Sequence, residues 1–220
     1  MTTSPISSAM EDYLKAIFEL GEKGIKTQGL ADELGVSAAS VTNMLKKLAM
    51  LKLVEHEKYY GSSLTKSGRL IALETLRHHR LLETYLAQAL GYEWHEVHDE
   101  AEKLEHHISE AFEARIAAAL GDPTFDPHGD PIPQLDGSLP PVQGQPLTSF
   151  DVGSQLKLLR FTRQERDVLK YLAEQTLKPG QIIELVHLAP FDGPVTLLTE
   201  ELEVNLAYDL ASTIHAESAA

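Results

Sequence analysis

A mainly α chain with small β parts, an α+β fold, is the expectation for these 220 residues, and three observations carry it. Apolar residues recur at helical spacing in segments spread over residues 9–120. A proline-rich stretch follows, with seven of the eleven prolines between residues 121 and 146. Beyond it, short β-prone runs are separated by Pro-Gly and Asp-Gly-Pro turns, the pattern of a small β-barrel. The expected division is a winged helix-turn-helix over 1–76, a helical segment over 77–146 with its proline-rich linker from 121, and a barrel over 147–220.

The first helix is expected over 9–20, with Met10, Leu14, Ile17 and Phe18 as its apolar stripe and Gly21 and Gly24 ending it. A short helix follows over 27–35. Thr27 is its expected cap, Leu30, Ala31 and Leu34 its inner face, and Gly35 its end. Ser37 is a good cap for the next helix, 38–50, and Val36 and Val41 fit a hydrophobic staple around it. Val41, Leu45 and Leu48 point inward. Short helix, glycine turn and second helix make a helix-turn-helix. The outward face of the second helix carries Ser40, Thr42 and Asn43 near its start and then Lys46 and Lys47. Small polar groups reach base edges and cations reach phosphates in that order on a recognition helix. With Thr27, Ser37 and Ala39 beside them, these residues form the candidate DNA-contacting set, and Asn43 is the foremost base-contacting residue. A polar αα-hairpin without a ligand is the blander alternative.

Residues 53–65 fit a hairpin around Tyr60-Gly61, the wing, where Lys58 and Tyr59 can reach DNA and Tyr59 and Tyr60 can equally serve as packing groups. A long helix is expected over 67–90 and is closed by Gly91. Further helices are expected over 94–107 and 108–120, with more apolar surface than a winged helix must cover, which suits a subunit interface. After the linker, strands are expected over 153–161, 181–188, 195–198 and 204–206, with a helix over 165–177.

The helix over 94–107 carries the chemistry. At 3.6 residues per turn, His98, Glu102, Glu105 and His106 project within an arc of roughly 100°. His79 and Glu83 share a face of the preceding helix at i, i+4. Seven of the ten histidines lie between His78 and His128, although His78, His95 and His107 point elsewhere on their helices and read as surface. Imidazole with carboxylate suits a borderline or hard divalent ion such as manganese, ferrous iron, zinc or cobalt. A charged helix laced with Glu–Lys pairs, which Lys103 would join, is the structural alternative.

Composition narrows the class. With no cysteine among the 220 residues there is neither a disulfide nor a thiolate ligand. No apolar run approaches membrane-spanning length, and the N-terminus lacks a secretory pattern, so a cytoplasmic protein with no membrane partner is expected. The net charge of −14 is unevenly spread: residues 1–80 hold 11 Lys+Arg against 9 Asp+Glu, and the remainder 8 against 24. A mildly basic head on an acidic body remains compatible with DNA. An enzyme is not expected. His95-Glu-Val-His98 has i, i+3 spacing where a zinc protease needs i, i+4, and no phosphate loop, nucleophile elbow or dinucleotide fingerprint is present. A metal-buffering protein leaves the recognition helix unexplained, and a winged-helix regulator of an organic ligand leaves the histidine–carboxylate cluster unexplained.

In this order the segments resemble the diphtheria-toxin-repressor family of metal-dependent transcriptional repressors, including its manganese-responsive branch. The resemblance rests on Met10-Glu-Asp-Tyr-Leu14, the 37–47 recognition helix, Arg77-His-His-Arg-Leu-Leu-Glu83, 97–106, and Gly129-Asp-Pro-Ile-Pro133, and it spans nearly the whole chain. It implies a winged helix, a helical dimerisation domain and a C-terminal SH3-like (FeoA-type) domain, working as a homodimer on a palindromic operator in double-stranded DNA. It also implies two metal sites, one from Asp12, Glu102, Glu105 and His106 and another from His79, Glu83 and His98. Asp126 and His128 match a segment that contributes a linker ligand in long manganese-type members, and Gln164, Glu165 and Asp167 lie near the barrel ligands of the iron branch. Iron-sensing members carry Met and Cys where Asp12 and Glu102 stand here. That exchange of sulfur for oxygen implies Mn(II) as the cofactor, with Fe(II) as the alternative. Lys15 stands where some manganese-type members have a further acid, which speaks against their closely spaced pair of ions.

Overall fold

The computed structural model describes residues 6–57 and 60–219, so Lys58 and Tyr59 of the expected wing lie outside the described residues. The chain divides into two units. The first comprises Met1–His79, Glu105–Ile108 and Pro133–Ser138, and the second Arg80–Leu104, Ser109–Ile132 and Leu139–Ala220.

In the first unit, α1 (Ser8–Glu19), α2 (Thr27–Glu33) and α3 (Ala38–Met50) precede a hairpin of β1 (Val54–Glu57) and β2 (Gly61–Leu64). Leu14, Ile17, Leu30, Val41 and Leu48 are fully buried in one core, each contributing about 1.5–3 kcal/mol by leaving water. Ser37 caps α3 by accepting from the Ser40 amide at 3.2 Å. The expected Thr27 cap is corrected: Lys26 holds that position without a side-chain bond, and Thr27 is the first helical residue. The hairpin runs antiparallel from Val54↔Leu64 to Glu57↔Gly61. Gly61 has φ +103°, and a Cβ there would meet Gly24 backbone atoms at 2.6 Å, so the hairpin can lie against that turn only with glycine.

The helix α4 (Lys66–Leu90) is continuous, and the division between units falls after His79. In the second unit it is followed by α5 (Val97–Leu104) and α6 (Glu110–Ala119). The expectation of one helix over 94–107 is corrected, because residues 105–107 form a turn. Ser109 caps α6 through the Phe112 amide at 3.3 Å, and a new helix starting there requires the chain to leave the old one.

The C-terminal part holds β3 (Gln145–Pro146), β4 (Gln155–Phe161), α7 (Arg166–Glu174), β5 (Ile182–Leu188), β6 (Val195–Leu198), β7 (Glu203–Leu206), α8 (Tyr208–Ala211) and β8 (Ile214–Ser218). The strands form one antiparallel sheet in the order β3-β8-β4-β5-β6-β7 around a core that includes Leu156, Phe161, Leu185 and Leu197. Strand β8, absent from the sequence expectation, sits between β3 and β4.

The proline-rich stretch is more than a spacer. It has no helix, but His128 and Ile132 are fully buried. The Asp126 carboxylate accepts from the amides of His128 and Asp130 at 2.8 and 2.9 Å, closing a tight turn. That turn lies on β4: the Phe161 amide donates to the His128 carbonyl at 2.9 Å. Gly129, at φ +90°, leaves so little room that a Cβ would stand 2.0 Å from the Leu159 carbonyl oxygen. Asp130 receives the Arg160 guanidinium and, at 2.6 Å, the Gln164 amide.

Candidate metal centres and nucleic-acid interface

The turn after α5 places Glu105 at the middle of a polar cluster in the first unit. Its carboxylate is wholly buried. Oε1 lies 2.6 Å from the Lys15 ammonium on α1 and 3.4 Å from Nε2 of His106, and Oε2 meets Nδ1 of His79. Burial alone would raise the Glu105 pKa, but the hydrogen bond and charge of His79 and the Lys15 ammonium hold it below the ordinary carboxylate range. His106 bridges to α1 on both edges, with Nε2 2.7 Å from Asp12 Oδ1 and Nδ1 2.6 Å from Glu11 Oε2. His78, expected to be surface, is half-buried and bonds the Glu105 carbonyl at 3.1 Å.

One ligand atom each from Asp12, Glu105 and His106 lies within 4.8 Å of the others. These donors fit a borderline or hard divalent ion: two carboxylate oxygens and one imidazole nitrogen, with no sulfur. Glu11 supplies the further feature such sites share, an acceptor on the other imidazole nitrogen that fixes tautomer and ring direction. Sequence reasoning missed Glu11, and its adjacency to Asp12 was the only local sign. Glu102 is half-buried on α5, three residues before Glu105.

A second cluster lies in the second unit. Glu83 of α4 is buried, with Oε1 3.3 Å from His98 Nδ1 and Oε2 3.6 Å from His128 Nδ1. One ligand atom each from Glu83, Asp126 and His128 lies within 4.8 Å of the others. Nε2 of His128 bonds the Trp94 carbonyl at 2.8 Å, so that nitrogen carries the proton. Its Nδ1 is buried and faces carboxylates, 3.6 Å from Glu83 Oε2. Burial opposes charge on His128, yet the Glu83 and Asp126 carboxylates push its pKa up to about 9. Burial, then Glu83 and Asp130, push Asp126 up to about 7. His79 lies one turn before Glu83 on α4 but, in the first unit, meets Glu105.

The Gln164 amide donates to Asp130 and to the Phe161 carbonyl, Glu165 pairs with Arg163 at 3.1 Å, and Asp167 is exposed in the first turn of α7.

On the recognition helix Ser37, Ala39, Ser40, Thr42, Asn43, Lys46 and Lys47 are all exposed, while Thr27 is half-buried. The Thr42 hydroxyl donates to the Ala38 carbonyl at 2.9 Å, and Ser37 and Ser40 share a bond at 3.0 Å. Asn43, Lys46 and Lys47 are therefore the residues with the longest reach for a duplex.

A winged helix with histidine–carboxylate clusters defines a class: a DNA-binding regulator that answers to a divalent metal ion. Comparison with known proteins agrees. Residues 5–62 match the iron dependent repressor N-terminal DNA binding domain. Residues 65–134 match the iron dependent repressor metal binding and dimerisation domain, and residues 145–218 the FeoA domain. The diphtheria toxin repressor of Corynebacterium diphtheriae is 30% identical over 94% of this chain and 96% of its own. The iron-dependent repressor IdeR of Mycobacterium tuberculosis is 28% identical over the same shares. Among solved structures, a manganese-dependent transcriptional repressor in complex with manganese is 37% identical, with TM-score 0.85 over 96% of this chain and all of its own. The manganese regulator SloR is 34% identical, with TM-score 0.77 over 96% and 98%. The chain belongs to the diphtheria toxin repressor family of metal-dependent transcriptional repressors. No helix among the described residues is long and apolar enough to cross a membrane.

Proposed function

We propose that the chain is a cytoplasmic, manganese-responsive repressor of metal-homeostasis genes, not an enzyme, and that it acts as a homodimer on a palindromic operator. The carrying observation is the Asp12–Glu105–His106 cluster, whose donors are oxygen and imidazole only. Asp12, Glu102, Glu105 and His106 hold the first ion. When bound, a divalent cation supplies the positive charge that lets neighbouring carboxylates share one centre. Asp12 sits on α1, and α1 shares a core with α3 through Leu14, Ile17, Val41 and Leu45. Holding Asp12 to the Glu105–His106 turn therefore biases the position of the helix that carries Asn43.

Glu83 is the hub of the second site, with His79, His98, Asp126 and His128 as its candidate ligands. The closeness of Asp126 and the buried His128 to Glu83 supports including the proline-rich turn. We assign DNA binding to residues 1–76, metal binding and dimerisation to 77–146 with the linker from 121, and the SH3-like domain to 147–220. Leu90, Tyr92 and Phe112 are exposed apolar groups in the second unit, and residues 81–120 are the proposed dimer surface. Iron remains the second reading, because IdeR is an iron-dependent repressor and two of the matching domains are those of iron dependent repressors. The test is operator binding by the chelated protein, with manganese or ferrous iron added back. Tight, selective binding with manganese is expected. Binding that ignores both ions overturns the metal-dependent reading, and a response confined to iron overturns manganese.

A further inference from the structure

The turn between β5 and β6 is built against local preference. The Ala189 amide donates to the Pro194 carbonyl at 3.1 Å and the Gly193 amide to the Pro190 carbonyl at 3.3 Å, so Phe191 and Asp192 are the central residues of a tight hairpin turn. Both lie in the left-handed region, at φ +59° and +54°. That conformation suits glycine or asparagine, and for a bulky side chain it is an outlier that costs stability. The Phe191 side chain is also wholly exposed, at 101%. Neither the turn nor the barrel core gains from a phenylalanine there, so the gain lies in what its ring touches on another molecule.

Charge indicates what that is. Residues 179–220 carry seven Asp or Glu and neither lysine nor arginine. Beside the turn, Asp192, Pro194, Ala207, Tyr208 and Asp209 line an open hollow of about 440 Å³. An apolar anchor and an apolar recess are thus edged by carboxylates. Two such tips repel each other, and their complement is an apolar surface edged by cations. The end of α3 is such a surface: Met50 and Leu51 are 76% and 41% exposed, with Lys46, Lys47 and Lys52 exposed beside them. DNA phosphates match those lysines but offer methionine and leucine no apolar partner.

We propose that the Phe191 turn of one copy docks on the α3 end of a second copy, with Phe191 against Met50 and Leu51 and the acidic rim against the lysines. The inference rests on the reading of α3 as the recognition helix. The acidic tip and DNA then compete for the same cations. Protein without DNA gathers into assemblies larger than its dimer, and the contact holds the reading face closed until DNA displaces the tip.

The experiment is sedimentation of the full chain with manganese at about 20 mM and about 500 mM salt, between which screening contracts from roughly 20 Å to roughly 4 Å. The parent is expected to show about twice the mass or more at low salt, since a tip-to-helix contact joins unlike surfaces and extends beyond a dimer. Phe191→Asn is expected to lose that assembly and yet to unfold at higher denaturant, because asparagine accepts the left-handed turn. Met50→Ser is expected to lose it from the other side. A mixture of the two variants is expected to regain it, because one supplies the helix and the other the tip. A parent of one mass at both salts, assembly that survives in either variant, or a mixture that stays apart overturns the proposal. Lys46→Ala and Lys47→Ala, tested on a random-sequence duplex, separate the two levels. If they leave DNA binding intact, the recognition reading fails and the competition with it. If they weaken it while the parent keeps one mass, only the docking fails.

Discussion

Glu11 Oε2 stands 2.6 Å from Nδ1 of His106, which leaves Nε2 turned toward Asp12 and Glu105. If His106 is a ligand, as proposed, Glu11 thereby selects the tautomer that offers Nε2 to the ion. Glu11→Ala should lower manganese affinity at this centre by about 10–100-fold, the usual cost of losing an outer partner of a ligating histidine. Isothermal titration of the chelated protein measures it, and an unchanged affinity would show that Asp12 alone orients the ring.

The recognition helix separates two kinds of contact. Asn43→Ala should weaken binding to the operator by about 1–3 kcal/mol while sparing random DNA, if its amide makes a bidentate base contact. Lys46→Ala and Lys47→Ala should weaken binding to both and flatten the salt dependence, since phosphates are the same in every sequence. Competition assays at several salt concentrations distinguish these outcomes. Equal losses on both DNAs for Asn43→Ala would shift the reading face of the helix.

Position 102 is expected to tune the choice of ion. Manganese and ferrous iron both sit low in the general affinity order, so ligand hardness must favour one over the other. Glu102→Cys replaces an oxygen donor by sulfur and should reduce the manganese response of operator binding relative to the ferrous response. Parallel titrations with the two ions check it. An unchanged ratio would remove Glu102 from the determinants of preference.

Gly129 tests the proline-rich turn. A methyl group there collides with the Leu159 carbonyl at 2.0 Å, and the backbone sits at φ +90°. Gly129→Ala should cost about 1–3 kcal/mol in overpacking and backbone strain. Denaturant unfolding of the metal-free protein measures it. A wild-type midpoint would mean that the turn can leave β4 at no cost.

The recognition helix was legible because its signals are local: Ser37, the inward spacing of Val41, Leu45 and Leu48, and the exposed polar face all lie within a dozen residues. The end of α5 was not. Glu102-Lys-Leu-Glu-His106 contains no helix breaker, and only the cap at Ser109 marks the change of direction. The ligand-type residues were still visible, because residue identity survives an error in helix length. The burial of Lys15 was not legible, because its partner Glu105 lies ninety residues away. Burial of His128 was equally hidden, because prolines forecast irregular backbone and say nothing of what covers it. Strand β8 alternates inside and outside only over Ile214 to Ala216, too short a run to stand out.

The donor set has a consequence for oxidative stress. Peroxides attack thiolates and thioethers readily and leave carboxylates and imidazoles largely alone. These 220 residues contain no cysteine, and the candidate ligands Asp12, Glu105 and His106 are carboxylates and an imidazole. If Asp12, Glu105 and His106 are the ligands, as proposed, they offer no sulfur for an oxidant to attack.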